Sequence, residues 1–415
     1  MSQGNEAGAM LDGVNVALGV TGSIAAVKTV ELAHELRRRG ASVRAVMTDS
    51  ATAIIHPWAV EFATENDVVS EITGSVEHVE LCGREGWADV LLIAPATANT
   101  VGKIASAVDD TPVTTCATTA LGADVPVVVA PAMHEPMYDH PGVLAAMDTL
   151  ESWGVAFVDP RVEEGKAKIA TEDAIALGVA RAAGEAPLAD RHVVVTSGAT
   201  VAAVDPVRVL TNRSSGRTGR AVARACYVLG ADVTLIHGAV GPHALTTGEA
   251  VETVPFAELV SVESVAEMTA AALAAVEGDG EGGDGETAAD ALVSVAAIGD
   301  YTVDTADEKI RSGQDELSLS LSPTPKLLDS VRAEHPDLRM VGFKTETSGD
   351  DDAMVAAARE TASRAGLAFV VANDASVMGS ESSRALLVHE EGYSEFSGEK
   401  SALGLAVARA LAATF

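Results

Sequence analysis

The stretch VNVALGVTGSIAAVKTVELAHELRRRG, residues 14–40, runs from a strand through a glycine turn into a helix. VNVALGV is apolar at nearly every position, so it reads as a strand covered on both faces. Gly19, Gly22 and Ser23 form the turn, and the helix ends at Gly40. The same unit recurs. SVRAVMT, ADVLLIAPAT and VPVVVAPAM are further continuous apolar strands separated by helical stretches. Strands of this kind alternating with helices predict a parallel sheet with helices on both faces. The pattern pauses at GEAPLADR and restarts with HVVVTSGAT, the helix GRAVARACYVLGA and the strand DVTLIHGAV. Later strands are expected in ADALVSVAAIGDY, LRMVGFKTET and LAFVVANDAS. The expected architecture is α/β, with two tandem doubly wound, Rossmann-like parallel-sheet domains at residues 1–185 and 186–415. The run EGDGEGGDGET, residues 277–287, reads as an acidic, Gly-rich surface loop.

Composition narrows the function. The chain has 415 residues and 47% hydrophobic residues, enough for two cores, yet aromatics are only 3%. Packing must rest on small aliphatic groups. Basic residues number 28 against 60 acidic, a formal charge of −32. Such a chain is too acidic for nonspecific nucleic-acid binding, which needs basic patches. Only 8 of the basic residues are Lys and 20 are Arg. An acidic, Lys-poor surface suits high salt, where screening removes self-repulsion, so a halophilic source, an archaeon, is expected. Cys82, Cys116 and Cys226 have neither CxxC nor zinc spacing, which fits a reducing cytoplasm. No apolar run is long enough to span a membrane, and the first residues lack a signal-peptide pattern.

The turn around Gly22 and Ser23 opens a helix, whose N-terminal amides can hold a phosphate. Many α/β turns carry glycines without binding anything, and GxGxxG spacing, the dinucleotide signature, is absent. APATANT and PAMHEPMY each follow a strand, at the edge where open α/β sheets bind ligands. Thr97, Asn99, His134 and Tyr138 are therefore candidates by position. SVEHVEL, residues 75–81, leaves His78 open as a solvated side chain or a proton-handling group.

TGSIAAVK, VMTDSA, EHVELCGREGWADVLLIAPATANTVGKIA and PAMHEPMY, in this order, resemble the FMN-dependent cysteine decarboxylases, and within them phosphopantothenoylcysteine decarboxylase. The resemblance implies a flavodoxin-like first domain. It implies FMN held by Gly22, Ser23, Ile24, Thr48, Thr97 and Asn99, a catalytic His78, and substrate contacts from His134, Met137 and Tyr138. His134 stands where the family usually has Asn. The implied chemistry is oxidative decarboxylation: the cysteinyl thiol is oxidised, the thiocarbonyl accepts the electrons released with CO₂, and the enethiol is reduced. Bacterial members carry a flap cysteine that donates the last proton. Here DPRVEEGKAKIATEDAI has none, leaving Lys166, Lys168 or water.

In the second half, TNRSSGRTG brings two serines, two glycines and Arg213, Arg217 and Arg220 to a helix start, a pattern able to hold phosphate oxygens. Asp300, Phe343, Lys344, Asn373 and Asp374 lie near the ends of later strands, Lys309 follows Asp300 by nine residues, and SPTPKLL supplies Lys326. DPVRVLTNRSSGRTG, GDY, EKI, TPKLL, VGFKTET and VAND together resemble the phosphopantothenate–cysteine ligases. The resemblance implies ligation through an acyl-cytidylate, with 4′-phosphopantothenate, cysteine and CTP as substrates. Asn212 would hold that intermediate and Lys309 would stabilise charge at the reacting phosphate. Gly198, Asp300, Lys309, Thr324, Pro325, Lys326 and Phe343 would contact CTP. Arg364 would take the place of lysines that often precede VAND, and Mg²⁺ would shield the triphosphate, its ligands unassigned. Trimeric decarboxylase contacts and dimeric ligase contacts, combined in a dodecamer, follow by the same analogy. Two rivals are another flavoprotein of the superfamily, such as a flavin prenyltransferase, and a non-catalytic FMN-binding regulator.

Overall fold

The computed structural model describes residues 10–163, 166–238, 254–278, 288–312, 316–346, 350–374 and 382–415. Most of the acidic run at 277–287 lies outside them; Glu277 ends the helix Val265–Glu277. The chain divides into two compact units that meet in sequence at Glu185 and Ala186.

In the first unit the stretch at residues 14–40 becomes the strand Asn15–Val20, a tight 3₁₀ turn Ile24–Lys28 and the helix Thr29–Arg38. The five-stranded sheet runs Ser42–Met47, Asn15–Val20, Val90–Ala96, Val127–Pro131, Ala156–Phe157, and every pair is parallel. Numbered along the chain this order is 2-1-3-4-5, so the winding reverses between the first and third strands. Leu91 and Ile93 pack with Val101, Val113, Ala117 and Leu150 from helices on one face. Val90 and Leu92, their alternates, are also fully buried. Successive strand residues point to opposite faces, so both faces are covered.

The main sheet of the second unit has eight strands in the order Glu258–Val262, Asp232–Gly238, His192–Gly198, Ala291–Ser294, Arg339–Glu346, Phe369–Asp374, Ser382–Val388, Tyr393–Glu399. The first six are parallel and run 3-2-1-4-5-6 along the chain. Ser382–Val388 is antiparallel to both of its neighbours, an edge addition to the parallel sheet that the sequence reading did not include. The reason lies in RALLVHEEGYSEF. Its two strands are joined by His389–Gly392 alone, where His389 N–H donates to the Gly392 carbonyl, too short for the crossover that a parallel pair requires. Two small hairpin-like pairs stand apart from the sheet, Val201–Asp205 with Arg208–Thr211 and Tyr301–Val303 with Leu321–Pro323.

Small aliphatic residues fill both cores. The largest fully buried side chains are Phe369, leucines such as Leu18 and Leu91, Met47 and Ile93. Among the described residues no helix is long and apolar enough to cross a membrane.

Candidate functional sites

Three neighbouring strands of the first unit end in capped helix starts. Ser23 begins the 3₁₀ turn and its hydroxyl accepts from Ala25 N–H. Thr48 caps Asp49–Thr52, and Thr97 caps Ala98–Ala105. Cross-links bind these ends together. Thr21 Oγ1 donates to the Pro95 carbonyl at 2.7 Å and accepts from Thr97 N–H at 3.2 Å. Ser23 Oγ donates to the Ala132 carbonyl at 3.0 Å. Gly22 has no room for a side chain, because a Cβ there would stand 2.4 Å from Ser50 Oγ. Ile24 is 78% exposed although apolar, and Asn99 is exposed in the first turn of its helix. Gly22, Ser23, Ile24, Thr48, Thr97 and Asn99 thus share one edge, around the point where the winding reverses. Open α/β sheets bind ligands there.

His78 lies on the short helix Glu77–Cys82. It makes no hydrogen bond to the three strand ends, and its Nδ1 is buried without a partner. A buried polar atom left unpaired is costly unless a ligand completes it. Val76, just before this helix, is held at φ 51°, which is strained for a β-branched residue and common beside active sites. Thr73 N–H donates to Glu77 Oε2 at 2.8 Å and Arg44 Nη1 to Glu80 at 2.9 Å, fixing the helix on both sides of His78. Cys82 at the end of this helix is buried with Cys116, and a hydrogen bond between the two thiols together with burial pushes Cys116 well above the usual thiol range.

His134 and Met137 are exposed, and Tyr138 is half-buried against the core. Burial, and then the carboxylates of Asp159, Glu151 and Asp139, raise the Tyr138 phenol, so it stays a donor. The segment Lys166–Lys168 pairs with Met133–His134 on one side and Arg161–Glu163 on the other. Lys166 stands directly across from His134, a proximity that sequence alone does not reveal. The Lys166 side chain lies outside the described residues; Lys168 is half-buried.

In the second unit, five side chains pin one loop. Thr196 Oγ1 accepts from the N–H groups of Val295 and Ala296 at 3.2 Å each. Asn212 Nδ2 donates to the Ala297 carbonyl at 3.0 Å, and Thr200 Oγ1 accepts from Gly299 N–H at 2.9 Å. Thr324 Oγ1 donates to the Gly299 carbonyl at 2.5 Å, and Lys326 pairs with Asp300. A cavity of about 660 Å³ opens beside this loop, lined in part by Asn212, Asp300, Thr324 and Pro325. Gly198 ends the first strand in a left-handed conformation, φ +78°. Lys309 is exposed and is not in the cavity wall. Phe343 is half-buried on the fifth strand. Arg364 lies on the helix Asp351–Ala365, paired with Asp329, and does not line the cavity either.

The DPVR string has a structural role that its composition does not announce. Asp205 Oδ1 accepts from Val207 N–H at 2.9 Å and Oδ2 from Ile310 N–H at 3.1 Å, while Arg208 pairs with Asp205 and donates to the Ile310 carbonyl. Both backbone groups of the residue after Lys309 are thereby held. Burial alone would raise the Asp205 carboxyl. The hydrogen bonds from Val207, Ile310 and Arg208 outweigh it and hold the group below the usual carboxylate range.

Comparison with known proteins agrees with this geometry. Residues 5–184 match the Flavoprotein family, and residues 188–414 match the DNA/pantothenate metabolism flavoprotein C-terminal domain. The chain is 46% identical over 380 residues to the coenzyme A biosynthesis bifunctional protein CoaBC of Thermococcus kodakarensis, covering 91% of this chain and 89% of that one. The chain belongs to the CoaBC family. These are bifunctional enzymes of coenzyme A biosynthesis, a decarboxylase and a ligase in one polypeptide. The Bacillus subtilis CoaBC is 33% identical over 385 residues, covering 89% of this chain and 88% of its own. Among solved structures, the FMN-dependent cysteine decarboxylase SpaF is 32% identical, covers 42% of this chain and 99% of its own, and has a TM-score of 0.38. The capped strand ends lie within the residues that match the Flavoprotein family, and the pinned loop within those that match the C-terminal domain.

Proposed function

We propose that residues 186–415 join cysteine to 4′-phosphopantothenate with CTP, through an acyl-cytidylate, and that residues 1–185 decarboxylate the product to 4′-phosphopantetheine with FMN. The observation that carries this reading is one chain holding both arrangements. A capped, cross-linked strand edge lies in a Flavoprotein match, and a pinned loop beside a 660 Å³ cavity lies in a pantothenate-metabolism match.

The first site suits FMN in shape and in donors. Gly22 leaves open the space a Cβ would fill, the Ser23, Thr48 and Thr97 turns offer hydroxyls and amides, and exposed Ile24 offers an apolar face. FMN bound there would supply two-electron redox chemistry that no side chain has. His78 handles the proton at the reacting end of the substrate with its otherwise unpaired Nδ1. His134, Met137 and Tyr138 hold the substrate carboxylate, His134 and Tyr138 by hydrogen bonds. The last proton comes from Lys166, Lys168 or water, on the strand that pairs with His134.

In the second site Asn212 holds the acyl intermediate, Asp300, Thr324, Pro325, Lys326 and Phe343 contact the nucleotide, and Lys309 stabilises charge at the reacting phosphate. Gly198 lets the phosphate chain approach. Mg²⁺ accompanies the triphosphate; among the described residues no cluster of three His, Cys, Asp or Glu side chains could hold an ion by itself. Arg364 contributes at most at long range, given its pairing with Asp329. The enzyme works in the cytoplasm as a homo-oligomer with trimeric decarboxylase and dimeric ligase contacts, twelve chains in all.

The test is one assay with 4′-phosphopantothenate, cysteine, CTP and Mg²⁺, its products followed by mass. Formation of phosphopantetheine with CO₂ release is expected. His78→Asn should keep FMN and ligation while CO₂ release falls at least about a hundredfold, as for loss of a general acid–base group. Lys309→Gln should depress ligation about a hundredfold and leave decarboxylation of supplied phosphopantothenoylcysteine intact, as for loss of one electrostatic stabiliser. Wild-type turnover in either variant removes that residue from its role.

A further inference from the structure

The helix Arg217–Val228 starts at Gly216, which has φ +73° and so favours glycine. A Cβ on Gly216 would stand 2.6 Å from His237 Cε1 and 2.9 Å from the Gly198 nitrogen. The His237 ring is thus pressed against the first residue of the helix. It is only 7% exposed, and its Nδ1 has no hydrogen-bond partner. Burial, and then the Arg220 guanidinium, push His237 down to about 4, so the ring is neutral.

The final helix of the chain, Lys400–Ala412, lies against this one. A Cβ on Gly404 would be 2.4 Å from the Ala221 carbonyl oxygen. Gly404 follows Lys400 by one turn, as Ala221 follows Arg217, and Lys400 feels the Arg217 charge. The two helices therefore run in the same direction with their N-termini together. Both positive dipole ends fall at one place, and three cations, Arg217, Arg220 and Lys400, stand there as well. Among the described residues none of the three pairs with a carboxylate; Arg220 donates only to the Ser215 carbonyl at 3.2 Å. Elsewhere in this acidic chain Arg37, Arg44, Arg191 and Arg384 all hold carboxylates. Burial, and then the Arg217 charge, lower the pKa of both Lys400 and Arg220. Cations at helix N-termini are unfavourable unless an anion neutralises them.

We propose that Lys400, together with Arg217 and Arg220, binds the phosphate chain of the ligase's nucleoside triphosphate. The inference rests on reading residues 186–415 as the ligase. It adds a contact from the far end of the chain to the glycine-rich turn. Each ammonium or guanidinium group makes charge-assisted hydrogen bonds to phosphate oxygens, and the parallel helix ends hold the chain in one direction. His237 closes the floor of the site without adding charge.

The test titrates full-length protein with CTP, CMP and inorganic pyrophosphate by calorimetry, for the wild type, Lys400→Gln and Lys400→Arg. Lys400→Gln should weaken CTP and pyrophosphate about tenfold, the loss of one charged hydrogen bond, and leave CMP within about twofold. In Lys400→Gln the ligase KM for CTP should rise while kcat holds, and Lys400→Arg should restore most of the affinity. CTP affinity unchanged in Lys400→Gln, or equal losses for CTP and CMP, would overturn the proposal, since a packing role moves both ligands alike. A wild type without ligase activity sinks the ligase reading alone, because the pyrophosphate titration still reads the Lys400 contact. A wild type that binds neither CTP nor pyrophosphate sinks both.

Discussion

At Gly22 a single hydrogen in place of a methyl group decides whether the first site can form. A Cβ would stand 2.4 Å from Ser50 Oγ and 2.6 Å from Ser50 Cβ, so Ser50 and its short helix would have to move. Gly22→Ala should therefore purify with its helix content intact and its flavin lost, measured by visible absorbance after gel filtration. Flavin retained at the wild-type ratio would show that the turn tolerates the shift. Asp205 makes a different residue-scale case. Its pKa lies below the unfolded value, so the carboxylate stabilises the fold above the ordinary range near pH ~4 and that stability is lost as pH falls through the lower folded value. Asp205→Asn should melt several degrees below wild type at neutral pH, and the gap should close in acid. Because Asp205 holds the residue after Lys309, ligation should fall in the variant even where it is fully folded.

At the scale of elements, the parallel pair of helices at Arg217–Val228 and Lys400–Ala412 depends on close approach at Gly404. Gly404→Val would force the helix axes apart. Overpacking of this kind costs about 1–3 kcal/mol, so the ligase unit should melt lower while the decarboxylase unit, with its own core, melts as before. Differential scanning calorimetry that resolves the two transitions checks this. If Lys400 does its work through this pairing, CTP affinity should fall with the same substitution. The flap formed by Arg161–Glu163, Lys166–Lys168 and Met133–His134 is a second such element. It ties the segment lacking the flap cysteine to the loop that carries His134.

For the whole molecule the dominant quantity is charge. At −32, like charges repel across the surface wherever ions do not screen them. The melting temperature should rise from 0.1 M to 2 M KCl, in line with the high-salt habitat expected from the composition. A flat or falling curve would count against that habitat. Arg217, Arg220 and Lys400, which have no carboxylate partner among the described residues, stand out against this acidic background, and their affinity for polyphosphate should weaken as salt rises.

Sequence by itself determined the α/β class, since VNVALGV and VPVVVAPAM are apolar on both faces and only a covered parallel sheet accommodates that. It also offered Gly22, Thr97 and Asp300 as candidates from their places just past strands, and Asn212 from the resemblance of its motif to the ligases. Other features are non-local and needed the tertiary structure. The antiparallel hairpin at Ser382–Glu399 was missed because short apolar runs do not show which way they pair. The clasp of Asp205 and Arg208 on Ile310 joins segments about a hundred residues apart. Lys400 lies on a helix whose sequence offers only amphipathic spacing. What places it beside Arg217 is Gly404 packing on the Ala221 backbone, a contact that exists only once both helices are laid on the same sheet. Local pattern records what each segment must bury; which segments meet, and so which charges converge, is decided by packing.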